Sequence, residues 1–270
     1  MLTLGGINVG LDIFQMAILP VLLNNSATWI GIDNVTLNKL EDFQHILQRC
    51  LLGVSNSTPL VAMAWDLGMI SVEHKINENK LIFLQYLVDQ DESNLSKEIY
   101  LIQKSLNFPG FVSETRKLID QYKLPNIIDG KSMSKLKWRT TVKAAIKTTY
   151  EKELKDKMNT SKFKDGPMLD EMFVKKDYIK SMKLPDARTN FRLRSKTTNV
   201  KMNRKSDPGY AAKLWKCEAC GYLDTVPHHV VPGVRTTQGG LDVKNDKDVV
   251  HYFQEVFKMR ENMNSEELEV

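Results

Sequence analysis

The sequence predicts a mainly α-helical protein, with a helical body and a small irregular C-terminal module. Three observations carry that expectation. Apolar residues recur at helical spacing in successive segments, the segments are bounded by residues that start or stop helices, and hydrophobic residues make up 42% of the 270, enough for a core.

In chain order, Leu40, Phe43, Leu47, Cys50, Leu51 and Val54 form one helical stripe, so Cys50 is expected to be a small core residue rather than a ligand. Thr58-Pro59 reads as a helix start, with Thr58 as N-cap and Pro59 in the first turn, where a missing N–H costs nothing. That short helix passes through Ala62, Trp65 and Leu67 and stops at Gly68. Ser71 starts another helix that directs Ile76, Phe83, Leu84 and Leu87 inward.

Ser93 is expected to cap the next helix, whose Leu95, Ile99, Ile102 and Leu106 keep an i, i+4, i+7, i+11 pattern. Phe108-Pro109-Gly110 breaks it. A shorter helix with Val112, Leu118, Ile119 and Tyr122 ends before Leu124-Pro125. Ser134 opens a long basic helix with Trp138, Val142, Ala145, Ile146, Thr149 and Leu154 on one side, and Lys137, Lys143, Lys147 and Lys155 on the other. A last amphipathic helix, introduced by Asp246, carries Val249, Val250, Phe253, Val256 and Phe257.

Length and composition suggest two units. The shift at Asp165-Gly166-Pro167 sets the expected boundary, giving a helical domain over 1–164 and a basic linker, Cys/His knuckle and terminal helix over 165–270. No apolar run is long enough to span a membrane; the best, Ile13 to Leu23, contains Gln15 and Pro20. Three cysteines argue against a disulfide scaffold and for an intracellular setting, nucleus or cytoplasm.

Charge is unevenly distributed within a net +5. Residues 131–164 hold eleven Lys/Arg against Glu151, Glu153 and Asp156, and residues 180–216 hold eleven more against Asp186 and Asp207. Two basic blocks are the footprint expected for a phosphate-rich partner; solvated helix faces are the plainer explanation.

Cys217-Glu-Ala-Cys220-Gly221 is the sharpest local motif. Two thiolates two residues apart, with His228 and His229 downstream, could bind zinc tetrahedrally, although a closed site needs a fourth ligand and Pro232 stands where one would fall. Two-metal polymerisation requires paired aspartates, and no Asp-Asp pair occurs; Asp89-Gln90-Asp91, the nearest approach, reads as a solvated loop. A phosphate-binding Gly-x-x-x-x-Gly-Lys loop and a Gly-x-Ser-x-Gly elbow are also absent.

Several motifs share an order with a known family. Leu4-Gly5-Gly6, Ala17 to Asn25 with Thr28-Trp29, Leu51 to Val54 before Ser57-Thr58-Pro59, Trp65 to Met69 and Lys80 to Leu84 resemble the stretch after the catalytic palm in non-LTR (LINE-type) retrotransposon reverse transcriptases. Ala187-Arg188-x-x-Phe191-Arg192-x-Arg194 is similar to that family's basic segment ahead of its C-terminal knuckle. Val249-x-x-Tyr252-Phe253-x-x-Val256 with Arg260 resembles the family's segment C-terminal to the knuckle.

The resemblance implies a thumb/connector plus zinc knuckle without fingers and palm, with Cys217, Cys220 and His228 as three ligands of a Cys-Cys-His-Cys set and His229 or water completing the shell. The cysteines with His229, Asn245 and His251 also resemble the layout of HNH endonucleases, which would make His229 the base. An inert or protein-interaction remnant is a third expectation.

The favoured expectation is a non-catalytic module that binds RNA, single-stranded DNA or an RNA–DNA duplex, with a separate palm domain as a further candidate partner and no membrane partner. Arg188, Arg192, Arg194, Lys201, Arg204 and Lys205 would hold phosphates and Trp215 would stack on a base.

Overall fold

The structure, a computed structural model, describes residues 6–106, 109–130, 133–160, 171–195 and 197. Every regular element among them is helical. The order is α1 (Gly6–Ile13), a π-turn (Phe14–Ile18), α2 (Leu19–Leu22), a 3₁₀ turn (Ser26–Thr28), α3 (Asn34–Leu52), α4 (Leu60–Leu67), α5 (Val72–Asp89), α6 (Leu95–Leu106), α7 (Phe111–Gln121), α8 (Lys135–Asn159), α9 (Asp177–Ser181) and α10 (Leu184–Arg194). None is long and apolar enough to cross a membrane among the described residues. The π-turn ends two residues before Pro20, which lies in the first turn of α2. A proline ring clashes with the carbonyl four residues back in a regular helix, and a widened turn relieves that clash.

The chain divides into two compact units, and neither is a continuous stretch of sequence: one gathers residues 1–12, 48–69 and 158–270, the other 13–47 and 70–157. The expected boundary at 164/165 lies outside the described residues, as do the Cys/His module and the helix expected after Asp246.

In the second unit α5, α7 and α8 supply the core. Leu81, Leu84 and Leu87 meet Phe111, Val112 and Ile119, and Trp138, Val142 and Ile146 close the cluster. The indole N–H of Trp138 donates to the Leu81 carbonyl at 2.8 Å, which satisfies the one polar atom of that buried ring. Ser71 caps α5 as expected, its hydroxyl accepting from the His74 N–H at 3.3 Å.

In the first unit α4 is the hub. Ala62 through Leu67 are all buried, and the Trp65 ring lies 5.5 Å from Phe173. Gly68 ends α4 at φ +61°, and a Cβ there would come within 2.4 Å of the Lys175 nitrogen. Both the left-handed turn and the close approach of residues 174–175 therefore require glycine.

Four local expectations are corrected. The N-cap of α4 is Pro59 rather than Thr58, whose hydroxyl is buried and makes no hydrogen bond among the described residues. The α6 start falls at Asn94, whose side-chain oxygen accepts from the Ser96 N–H at 2.9 Å; Ser93 instead donates to Asp91. The inward face of α3 includes Gln44 and Gln48, while Phe43 is 42% exposed. Cys50, expected in the core, is exposed on that helix. The amide of Gln44 donates to the Ile70 carbonyl at 3.2 Å, so a polar residue is accommodated on a face where periodicity alone favours an apolar one.

Candidate nucleic-acid interface

The expected phosphate-binding arginines lie on α10, a helix that begins after Lys183 with Pro185 in its first turn. Arg188 and Arg192 do share a face, one helical turn apart. Both turn toward the C-terminal turn of α3. Arg188 donates from Nε to the Leu51 carbonyl at 3.0 Å and from Nη2 to the Cys50 carbonyl at 2.8 Å. Arg192 donates to the Gly53 carbonyl. The last carbonyls of a helix have no intrahelical partner and carry its partial negative charge, so two guanidiniums there act as a cap. Gly53 at φ +61° permits it, since a Cβ would come within 2.8 Å of Arg188 Nε.

Arg194 is more deeply committed. It is 7% exposed, and its guanidinium donates to both oxygens of Asp66, at 2.9 and 3.1 Å, and to both oxygens of Glu171, at 3.1 and 2.6 Å. Tyr178 completes the cluster by donating its hydroxyl to Asp66 at 2.7 Å. Burial works against the charged arginine, yet the Asp66 carboxylate and the hydrogen bonds the guanidinium donates to both acids raise its pKa above the ordinary arginine value. Burial also works to raise Glu171, but hydrogen bonds from Arg194 and Lys176 hold its pKa below the ordinary glutamate value. Burial and the Asp66 charge push the Tyr178 hydroxyl well above its usual range. This is a paired internal ion cluster, with four of the arginine's five N–H donors engaged by the two acids.

Open positive charge is found on α8. Trp138, Val142, Ile146, Tyr150 and Leu154 form its buried row at i+4 intervals. Arg139, Lys143 and Lys147 each directly follow a member of that row, and Lys135 precedes them by the same interval. One residue of helix is a rotation of about 100°, so these four cations make a second row beside the buried one. All four are exposed. No carboxylate lies within ion-pair distance of any of them among the described residues, whereas Lys155 further along the helix pairs with Glu151 at 3.2 Å. The acids of α8 fall at Glu151, Glu153 and Asp156, beyond the end of the ridge.

Asp89, Gln90 and Asp91 lie where α5 ends. Asp91 is fully exposed and accepts from the Ser93 backbone and hydroxyl at 2.9 and 2.7 Å, which lowers its pKa. Among the described residues no group of three or more His, Cys, Asp or Glu is disposed to hold a metal. Cys217, Cys220, His228 and His229 lie outside the described residues, as do Lys201, Arg204, Lys205, Trp215, Asn245 and His251.

One buried polar cluster escaped the sequence reading. His74 is 5% exposed; its Nδ1 is 2.8 Å from the Ser71 hydroxyl and its Nε2 3.6 Å from Glu153. Burial lowers its pKa despite the nearby Glu153 and Glu73. Tyr122 and Tyr150 pack against its ring, and burial pushes Tyr122 up to about 12. A helix-forming window in which every third or fourth residue is apolar gave no sign of it, because His74 occupies a core position itself.

No protein-family model matches this sequence, and no curated protein or solved structure shows detectable similarity to it.

Proposed function

We propose that this chain is a non-catalytic nucleic-acid-binding part of a reverse-transcriptase-type protein, and that α8 is the element that tracks the phosphate backbone. The observation that carries the reading is the row Lys135, Arg139, Lys143 and Lys147, exposed and without acidic partners among the described residues. Successive members are about 6 Å apart along the axis, so the row is about 18 Å long. One strand of a duplex presents a phosphate charge per about 3.4 Å of axis, so the row spans about five of them. Cations on one rigid helix lose less freedom on binding than cations on a loose segment.

The buried row beneath fixes α8 through Trp138, Val142 and Ile146, so the ridge is held at the surface by packing that binding does not disturb. Lysine and arginine in a row along one helix hold phosphates by charge and spacing, which favours sequence-tolerant binding. The shared order of motifs with LINE-type reverse transcriptases supports RNA or an RNA–DNA duplex as the partner. No paired aspartates are present to hold two catalytic metal ions.

The test is fluorescence anisotropy of labelled RNA, single-stranded DNA and RNA–DNA duplex against the whole chain over a range of salt. The comparison variant carries Lys135→Gln, Arg139→Gln, Lys143→Gln and Lys147→Gln together. Each phosphate contact contributes about 0.9 to the log–log salt slope on duplex, so the variant's slope on duplex is expected to be shallower by about 3.6 units if all four cations contact phosphate. A slope equal to that of the unaltered chain would sink the proposal.

A further inference from the structure

The α6 helix is turned inside out relative to its own pattern. Its periodicity predicts a buried apolar stripe, yet Leu95 and Leu106 are each 68% exposed, and Ile99 and Ile102 each 48%. The opposite face is the one tied down. Tyr100 is buried in the core, Lys97 donates to the Val88 carbonyl at 2.6 Å, Lys104 donates to the Ile128 carbonyl at 2.5 Å, and Gln103 accepts from the Val112 N–H at 3.4 Å. These bonds fix the rotation of the helix, so the stripe cannot roll inward without breaking them. Four large aliphatic side chains in a row are thereby left facing water, at the cost of exposed apolar area.

We propose that this stripe is a self-association surface, on which α6 of one copy packs antiparallel against α6 of a second copy. The spacing i, i+4, i+7, i+11 is that of alternating d and a positions in a heptad, the pattern that suits packing against another helix. It is also palindromic. Read in either direction, the row is Leu, Ile, Ile, Leu at intervals of four, three and four residues, with exposures that mirror each other. An antiparallel two-fold pairing therefore sets Leu95 against Leu106 of the second copy and Ile99 against Ile102, matching each knob with one of its own kind. That is the self-complementarity a two-fold interface requires.

Charge selects the same orientation. Beside the stripe runs a groove lined by Glu98 at one end and by Lys104 and Arg116 at the other, where both cations approach Asp129, at 3.3 and 3.5 Å. An antiparallel partner brings its own Glu98 to the end that holds two cations and one carboxylate. The two helix dipoles also oppose each other in that arrangement. Ser96 and Gln103 flank the other side of the stripe, so no like charges meet across it. One twelve-residue helix per copy makes a small interface, so the association should be weak and dependent on concentration.

The experiment is sedimentation velocity of the whole chain, free of nucleic acid, from micromolar to near-millimolar concentration. The average mass is expected to rise from monomer toward dimer. Ile99→Glu with Ile102→Glu should remain monomeric throughout with an unchanged far-UV circular dichroism spectrum, since both side chains are half-exposed. A wild-type chain that stays monomeric, or a variant that associates equally well, would overturn the proposal.

Orientation is tested by oxidative cross-linking of the pair Leu95→Cys/Leu106→Cys against Leu106→Cys alone, with the linked peptides mapped by mass spectrometry. Positions 95 and 106 lie about 16 Å apart within one helix, too far for an internal bridge. The pair should yield a bridge between 95 and 106 of two copies, and the single variant none at 106. Equal bridging by the single variant would rule out the antiparallel arrangement.

Discussion

Residues 131–164 and 180–216 each carry eleven basic residues, yet the cations of α8 and those of α10 meet different surroundings. On α8, four stand in a row with no acid beside them among the described residues. On α10, Arg188 and Arg192 bind the carbonyls that end α3, and Arg194 is enclosed by Asp66 and Glu171. Local composition does not distinguish the two cases. The difference lies in whether a complementary group exists elsewhere in the fold, and for Arg194 that group lies 128 residues earlier in the chain. A basic stretch is therefore open to a polyanion only where the fold has left it unpaired. Lys80 in the second unit makes the same point: it is 6% exposed and meets Glu114 at 2.7 Å.

The comparison is broken most directly at Arg194. Arg194→Ala leaves the buried Asp66 and Glu171 without their cation, and a broken buried pair costs about 3–5 kcal/mol. Chemical denaturation should show a loss of that size, with the salt slope of nucleic-acid binding unchanged at temperatures where the variant stays folded. Intact stability together with weakened binding would mean that Arg194 belongs with the ridge.

Arg188→Ala should have a smaller effect of the same sign. It removes two hydrogen bonds to carbonyls at the end of α3, for an expected loss of about 1–2 kcal/mol. An equal midpoint for variant and wild type would show that water replaces the guanidinium without cost.

On α8 the sign should reverse. Like charges at i, i+4 repel by about 0.2–0.5 kcal/mol per pair, and the ridge contains three such pairs. Replacing all four cations with glutamine should raise stability by up to about 1.5 kcal/mol at low salt, an advantage that fades as salt screens the repulsion. Binding and stability would then move in opposite directions on α8. A destabilised quadruple variant would mean that the ridge has internal partners after all.

The smallest effect concerns a buried basic group whose carboxylate neighbour, Glu153 at 3.6 Å, does not outweigh its burial. Burial lowers the pKa of His74, so the folded chain resists protonating it. The unfolded chain takes up that proton as pH falls through the ordinary histidine value near 6.5, and the folded chain only below its lowered pKa. The contribution of His74 to stability is thus complete above that value and is lost as pH falls between the two. Melting temperature measured from pH 8 toward 5.5 should decline for wild type, and His74→Gln should show a shallower decline. Parallel curves would assign the decline to other groups; Glu41 is not one of them, because a carboxyl whose pKa burial raises adds stability as pH falls.

The helices themselves were legible in the sequence. Gly68 and Ser71 mark real boundaries, the apolar row of α8 is buried as its spacing requires, and Asp89 and Asp91 are exposed where α5 ends. These are local matters: a left-handed turn needs glycine, an N-cap needs an acceptor, and a 3.6-residue period puts apolar residues on one side. The tertiary structure decided what those faces meet. Periodicity gives α6 an apolar stripe, but only Lys97, Gln103 and Lys104, tied to groups on other elements, turn that stripe outward. Composition makes residues 180–216 basic, but only the approach of α3 and α4 turns the α10 arginines inward. The physical reason is the same in both cases. A helix's own residues fix its pattern within a few turns, whereas burial and pairing depend on partners far away in sequence, which local spacing does not encode.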